Sequence, residues 1–447
     1  MSGPHATRCF GTDGIRDRAG SGFLSPEAVR AWGGAAGVYL QHRGVRSPRV
    51  VSVRDTRASG SDIETQFAAG LASGAEFLRA GVLPGPAASV LVREGFDLGV
   101  VVSASHNPAS DNGIKFFLPD GAKMPERDEI LLEGFWHARR SPGGAPARDL
   151  PWPEAATRYR ERLRAASPRG APALLRVVLD CAHGACWEVG PAFLRERGVE
   201  VTTIGDAPDG RNINAGCGAA APEALSRAVR ERGADLGLAL DGDGDRLVCA
   251  DRFGAIRDGD DLLVIAASCL GSAGRLGPRA VAGTIMTNVG VEWALARGGV
   301  ALRRAPVGDR NVSDAMRAER LSVGGESSGH MIFRSWGPTG DGLVTAAHLL
   351  SFLATSGRDL AAWGGAWRRV PSVQKSVRCG AKPDLAILER FAPALDRERN
   401  ALGARGRIVA RYSGTEPLLR ILVEGEDAAE VARIAGSLAA SAAEDLR

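Results

Sequence analysis

The chain reads as an α/β protein: three related units followed by a smaller C-terminal α+β unit. Two observations predict this. Short apolar runs alternate with alanine-rich stretches of helical spacing through most of the 447 residues, the pattern of strands joined by helices. Three of the runs also end alike. Leu98–Val102 leads into Ser103-Ala-Ser-His, Leu236–Leu240 into Asp241-Gly-Asp, and Leu321–Val323 into Gly324-Gly-Glu-Ser-Ser-Gly-His. Ligands of open α/β sheets gather beyond the carboxyl ends of strands. Three repeats of one arrangement therefore predict one shared cleft. A chain of this length also exceeds a single ordinary core.

The elements follow in order. Val50–Val53 is a strand ahead of a helix over Ile63–Arg79, and Arg176–Asp180 is a strand ahead of a helix over Pro191–Arg197. Ser141–Pro153, rich in Gly, Pro and Ala, reads as a linker. Further breaks fall near Asp251–Asp260 and Trp367–Ser372. These divide the chain into domains over 1–152, 153–256, 257–370 and 371–447. In the last, Gly406–Tyr412 and Leu418–Glu424 are strands around the loop Ser413-Gly-Thr-Glu-Pro, and Ala428–Ala443 is a helix.

Composition excludes several classes of function. Hydrophobic residues make 44% of the chain and charged residues 24%, with a net charge of +4. These are ordinary values for a globular protein. Without a Lys/Arg block the chain does not read as a nucleic-acid binder. No apolar run reaches membrane-spanning length, and Met1–Arg8 lacks a signal-peptide core. Seven scattered cysteines do not make a disulfide framework, so a reducing cytoplasm is the expected setting. The basic residues are arginines except Lys115, Lys123, Lys375 and Lys382, which gives a lysine inside a motif extra weight.

Two motifs carry the chemistry. Asp241-Gly-Asp-Gly-Asp245 places three carboxylates at alternate positions on a glycine loop that can converge on one cation. A calcium EF-hand would need Gly and an acid at the sixth and twelfth positions; Arg246 and Arg252 stand there instead. Ser103-Ala-Ser-His-Asn-Pro108 puts Ser105 beside His106 in a turn. A phosphoserine carries about −1.5 to −2 charge at neutral pH. A divalent cation would neutralise it and polarise the phosphorus. The pair points to phosphoryl transfer through phospho-Ser105. A plain turn or a Ser-His hydrolase arrangement is also open at that loop.

Other motifs are read beside these. Lys115, at the start of a strand in Asp111-Asn-Gly-Ile-Lys-Phe-Phe, can neutralise a phosphate or move a proton, or merely face solvent. Gly325-Glu-Ser-Ser-Gly329 matches a nucleophile elbow on Ser327, but no compelling acid-then-histidine order follows. Glu326, Ser328 and His330 better suit a sugar. Arg411-Tyr-Ser-Gly-Thr-Glu-Pro with Arg420 resembles a phosphate cradle of hydroxyls, loop N–H groups and guanidinium forks, or else an exposed hairpin. Cys181, His183 and Cys186 match no usual zinc spacing, and the two cysteines are expected as buried thiols. Gly216-x-Gly218-x-x-Ala221 follows no clear strand, so it is a weak dinucleotide fingerprint, and the chain has no Gly-Lys pair, which excludes a standard P-loop.

Five motifs in order, Phe10-Gly-Thr-Asp-Gly-Ile-Arg16, Ser103–Pro108, Asp241–Arg246, Gly324–His330 and Arg411–Pro417, resemble the α-D-phosphohexomutase superfamily over essentially the whole chain. Their wording is similar to its phosphoglucosamine mutase branch. The resemblance implies four domains with mixed sheets around a deep cleft. It implies Ser105 as the phosphoserine, with Asp241, Asp243 and Asp245 as Mg²⁺ ligands alongside it. Arg16, His106, Lys115, Arg246 and His330 assist phosphate contact or proton transfer. Glu326, Ser328, Gly308 and Asp309 bind the sugar. Arg411, Ser413, Gly414, Thr415 and Arg420 bind the distal phosphate. The implied reaction interconverts glucosamine 6-phosphate and glucosamine 1-phosphate, toward UDP-N-acetylglucosamine. A glucosamine 1,6-bisphosphate or related sugar bisphosphate is the activator, and the protein is a monomer or homodimer. The rivals are a phosphomannomutase/phosphoglucomutase and a non-catalytic phosphosugar-binding protein. Asp17, Ser327 and His183 depart from the branch, which commonly has Gly, Gln and Asn at those places.

Overall fold

A computed structural model describes residues 8–446, except 12, 72–73, 144–145, 169, 171–173 and 414–415. Four sheets follow one another along the chain. The first has six strands in the order Ile15–Arg18, Asp111–Phe117, Leu98–Val102, Arg49–Arg54, Glu76–Val82, Arg148–Pro151. Its last four are parallel, and Asp111–Phe117 runs antiparallel to both neighbours. Leu-Gly-Val-Val-Val at 98–102 is buried throughout, as a strand covered on both faces must be. Helices Pro26–His42, Gly60–Gly70 and Glu126–His137 pack on this sheet's core. The first starts where sequence chemistry asks. Ser25 caps it by accepting from the Ala28 N–H, and Pro26 takes the first turn.

The second sheet has five strands, ordered Ile256–Arg257, Leu247–Asp251, Leu236–Leu240, Arg176–Asp180, Glu200–Ile204. The third has four, ordered Ala301–Ala305, Ala280–Thr284, Val323–Gly325, Met331–Phe333. Both mix parallel and antiparallel pairs. The fourth is antiparallel, Ser372–Arg378, Leu418–Gly425, Gly406–Tyr412, and shares its core with helices Phe391–Leu402 and Ala428–Asp445. One buried apolar cluster runs continuously from the first sheet through the second and third, whereas the C-terminal unit has a core of its own. The fold is thus α/β with mixed sheets in four domains, as the alternating pattern and the resemblance lead one to expect.

Several elements differ from the sequence reading. The helix expected over Ile63–Arg79 ends at Gly70, and Glu76–Val82 is a strand parallel to Arg49–Arg54. Sheet pairing there overrides local helical spacing. The supposed linker Ser141–Pro153 contributes the edge strand Arg148–Pro151, whose proline is tolerated because it sits at an edge. The third unit's strand is Val323–Gly325, so two glycines assigned to the loop belong to the ladder. Lys115 is the fifth residue of its strand, not near the first. The C-terminal unit holds a further strand, Ser372–Arg378, and a further helix, Phe391–Leu402.

Candidate active site

The strand Leu98–Val102 delivers Ser105 into a left-handed conformation, φ 52°, unusual for a residue with a side chain. The loop is held from outside. Arg57, wholly buried, pairs with Asp55 at 2.9 Å and donates to the backbone oxygens of Ser105, Asn107, Pro108 and Asp111. Asn214, from the second unit, donates to the oxygens of Ser105 and Asn107. Inside the loop, the Ser105 N–H donates to Ser103 Oγ, which donates to Asp55. A strained backbone position persists only when its surroundings over-determine it, and here Arg57, Asn214, Ser103 and Asp55 do so. Arg57 and Asn214 escaped the sequence reading, because a single arginine and the Asn of Asn-Ile-Asn have no local signature.

Ser105 Oγ donates to Asp241 Oδ2 at 2.6 Å. Asp241, Asp243 and Asp245 hold carboxylate oxygens all within 4.8 Å of one another, and all three are buried. The intervening glycines are forced by packing. A Cβ on Gly242 would lie 2.6 Å from the Ser105 oxygen; one on Gly244, at φ +70°, would lie 2.5 Å from Cys186 Sγ. Burial and the charges of Asp245 and Asp243 push the Asp241 carboxyl well above its ordinary range. Burial works the same way on Asp245, but His330, Lys115 and Arg246 overrule it and hold that carboxyl low. Asp243 Oδ1 and Asp245 Oδ1 are buried without a hydrogen-bond partner. An all-carboxylate donor set with orphaned oxygens fits a hard divalent cation; the acidic triad can hold a metal.

Cations surround this centre. Lys115 Nζ lies 2.8 Å from Asp243 and 2.7 Å from Asp13. Burial opposes its charge, but Asp13, Asp243 and Asp245 raise its pKa, so it stays an ammonium. Arg16 pairs with Asp13 at 3.1 Å. His106 Nδ1 lies 3.4 Å from Ser105 Oγ, and burial with the charges of Arg246 and Arg16 brings its pKa down to about 4. The ring is neutral at pH 7. The buried Nε groups of Arg16 and Arg246 make no hydrogen bond, though Arg246 Nε lies 3.8 Å from Asp245 Oδ1.

Arg16, His106, Asp245, Arg246, Gly308, Asp309, Glu326, Ser328 and His330 line one cleft of about 1020 Å³. The second and third loops interlock, the Leu247 N–H donating to the Gly329 oxygen at 3.0 Å. Glu326 accepts from the Gly308 N–H at 3.0 Å. His330 Nδ1 faces Asp245 at 3.5 Å, and Nε2 accepts from the Gly340 N–H at 3.1 Å. Burial resists a charge on this ring, while Asp245 and Asp309 raise its pKa to about 9. Asp309 also lies 3.6 Å from Nε2, so the two carboxylates favour the imidazolium, whereas the Gly340 N–H can donate to Nε2 only in the neutral ring. Lys123 bridges Asp13 and Asp309, tying first unit to third. Asp13 lies inside the first motif and Lys123 outside every motif, and their partners Lys115 and Asp309 are far away in sequence.

The C-terminal loop stands apart. Arg411, Ser413 and Arg420 do not line the cleft, and Gly414 and Thr415 lie outside the described residues. Arg411 and Arg420 sit directly opposite each other across the hairpin. Burial and the Arg420 charge lower the Arg411 pKa. Lys382 donates to the Ser413 oxygen at 2.6 Å. Three cations thus lie around one hairpin loop, and Arg420 pairs with Glu416 of that loop. Of the departures, Asp17 caps its own turn by accepting from the Arg18 and Phe23 N–H groups. Ser327 lines the cleft, and His183 Nδ1 accepts from the Ala207 N–H.

Comparison with known proteins covers nearly the whole chain. Residues 7–139 match the phosphoglucomutase/phosphomannomutase alpha/beta/alpha domain I, 157–254 domain II, 258–369 domain III, and 377–441 the C-terminal domain. A phosphoglucosamine mutase of Symbiobacterium thermophilum is 42% identical over 442 residues, covering 97% of this chain and 98% of the relative. Another, of Thermus thermophilus, is 44% identical over 434 residues, covering 95% and 96%. The chain belongs to the phosphoglucosamine mutase family. A phosphoglucomutase/phosphomannomutase family protein of Burkholderia thailandensis shares its fold, with a TM-score of 0.81 at 23% identity and 98% of each chain covered. So does an N-acetylphosphoglucosamine mutase of Aspergillus fumigatus solved with GlcNAc-6P and magnesium. Its TM-score is 0.68 at 19% identity, covering 99% of this chain and 97% of that one. Among the described residues no helix is long and apolar enough to cross a membrane.

Proposed function

We propose that this enzyme interconverts glucosamine 6-phosphate and glucosamine 1-phosphate through phospho-Ser105 and a sugar 1,6-bisphosphate. The observation that carries the reading is Ser105 Oγ lying 2.6 Å from one acid of a buried carboxylate triad, beside an arginine-lined cleft in a chain of this family. The free sugar hydroxyl attacks phosphorus, the P–Oγ bond breaks, and the hydroxyl proton is balanced by the one Ser105 Oγ regains. His106 Nδ1 is the ring facing that oxygen. Mg²⁺ held by Asp241, Asp243 and Asp245 would neutralise the phosphoryl charge and polarise phosphorus. Lys115 and Arg246 keep fixed positive charge beside the transfer site. In the second half-reaction the sugar's other phosphate returns to Ser105. Glu326 and Ser328 hold ring hydroxyls in either orientation. Arg411, Ser413, Gly414, Thr415 and Arg420 grip whichever phosphate is distal, which requires the C-terminal unit to close over the cleft.

The test is a panel of glucosamine, glucose and mannose phosphates, assayed with Mg²⁺ and a catalytic amount of sugar 1,6-bisphosphate. The reading expects glucosamine phosphates to give the highest kcat/KM, a phosphate on Ser105 by peptide mapping, and no turnover by Ser105→Ala. Higher kcat/KM on mannose or glucose phosphates would move the enzyme to the phosphomannomutase/phosphoglucomutase reading. Full activity of Ser105→Ala would end the phosphoserine mechanism.

A further inference from the structure

We propose that Cys9, Glu133 and His137 form a second metal site, taking one zinc-like divalent cation, separate from the aspartate loop. Glu133 and His137 stand one turn apart on the helix Glu126–His137 and so share a face. The other side comes from the N-terminal segment. Phe10 packs edge-on to Trp32 at 5.7 Å, and Trp32 stacks at 4.6 Å on Trp136 of that helix, which holds the neighbouring Cys9 beside it. The Cys9 N–H donates to Glu133 Oε1 at 3.0 Å.

The three ligand atoms lie within 4.8 Å of one another. His137 Nε2 is 3.5 Å from Glu133 Oε1 and 4.0 Å from Cys9 Sγ. Tetrahedral zinc, bonded at about 2.3 Å to sulfur and 2.0–2.1 Å to nitrogen and oxygen, sets its ligands roughly 3.4–3.6 Å apart. The Glu133–His137 separation already fits, the Cys9–His137 separation needs a shift of about half an ångström by that measure, and the Cys9–Glu133 separation lies within 4.8 Å. Cys9 is buried and His137 is exposed, so the fourth position opens on the solvent side.

The donor chemistry also separates this site from the aspartate loop. Oxygen alone suits magnesium, calcium or manganese; sulfur with imidazole suits zinc. Burial and the Glu133 charge push the Cys9 thiol up to about 12, so a cation bound there must displace the thiol proton. Such a cation would pin the N-terminal end of the first cleft loop to the last turn of a helix.

Cobalt(II), which reports thiolate ligation by near-ultraviolet charge-transfer absorption, decides the matter on metal-free full-length protein. One equivalent should raise the band in the wild type and in Asp243→Asn, and zinc should displace it. Cys9→Ser should lose the band. His137→Gln alters an exposed side chain, so folding is spared. It should bind cobalt at least about 10-fold more weakly, the lower bound for loss of even a supporting group. The proposal is overturned if the wild type shows no thiolate band, if Cys9→Ser keeps it, if Asp243→Asn abolishes it, or if His137→Gln binds as tightly as wild type.

Discussion

A methyl group at position 242 would sit 2.6 Å from the Ser105 oxygen and 2.8 Å from Asn214 Nδ2, so either the metal loop or the serine loop must move. Gly242→Ala should therefore lower kcat by about 100-fold, the scale of a one-ångström misplacement, with substrate affinity far less affected. Steady-state kinetics beside a melting curve check this; a melting point that fell with kcat intact would make the contact purely structural. Arg57→Lys keeps a charge against Asp55 but loses the planar fork that reaches four backbone oxygens. It should cost at least about 10-fold in kcat on the same positional argument, and proteolysis at the 103–108 loop should quicken. Unchanged kcat would relieve Arg57 of its positioning role. These two cases show what the sequence displays and what it hides. Ser105 and the three aspartates are legible because each lies in a short motif of its own, Ser105 beside His106 and the aspartates at alternate places on a glycine loop, although 136 positions separate the two motifs. Arg57, Asn214, Asp13 and Lys123 act on partners distant in sequence. Asn214 and Ser105 are 109 positions apart, and Lys123 and Asp309 are 186, so no local spacing announces them.

The helix Gly342–Ser356 starts well, with Asp341 accepting from the Leu343 and Val344 N–H groups, yet it buries His348. That ring stacks on Phe333 at 3.8 Å with both nitrogens unpartnered. Burial, with the charges of Arg275 and Arg197, pushes its pKa down to about 3. The unfolded chain takes up a proton near pH 6.5 and the folded chain does not. Stability is therefore full above pH 6.5 and falls as the pH drops toward 3. At pH 5 the loss is about 2 kcal/mol. His348→Leu removes that slope. Its stability difference between pH 8 and pH 5, from urea unfolding, should be smaller than the wild type's by about 2 kcal/mol. Equal differences would mean that the folded ring accepts a proton. Element boundaries show the same division as residues. Leu98–Val102 and Leu236–Leu240 are fully buried and declare themselves as apolar runs. Arg148–Pro151 and Ser372–Arg378 are mostly exposed edge strands. Their partners alone make them strands, so the first reads as linker and the second passes without a strand signal.

The three cleft-forming units share one core, while the C-terminal unit keeps its own. It meets the third unit through polar contacts. Glu424 accepts from Asn288 Nδ2 and the Val289 N–H, and Arg407 donates to the Ile285 and Thr287 oxygens. A joint with so little apolar continuity can swing, and a ligand drives it shut only by binding the closed form better. Arg411→Ala should thus raise KM and lower kcat together, by about 10-fold or more each on the scale of a charge-assisted phosphate contact. It should also let sugar 1,6-bisphosphate escape into solution during turnover, where it can be counted by ion-exchange chromatography. Wild-type affinity with no added escape would leave Arg411 a surface arginine. The cross-strand placement of Arg411 and Arg420 has a practical side at the bench. Two guanidiniums facing each other repel, and among the described residues only Arg420 has a carboxylate, Glu416, beside it. If the hairpin holds the distal phosphate as proposed, orthophosphate and sulfate would compete for that place, and the choice of buffer salt would set the apparent KM even at matched ionic strength.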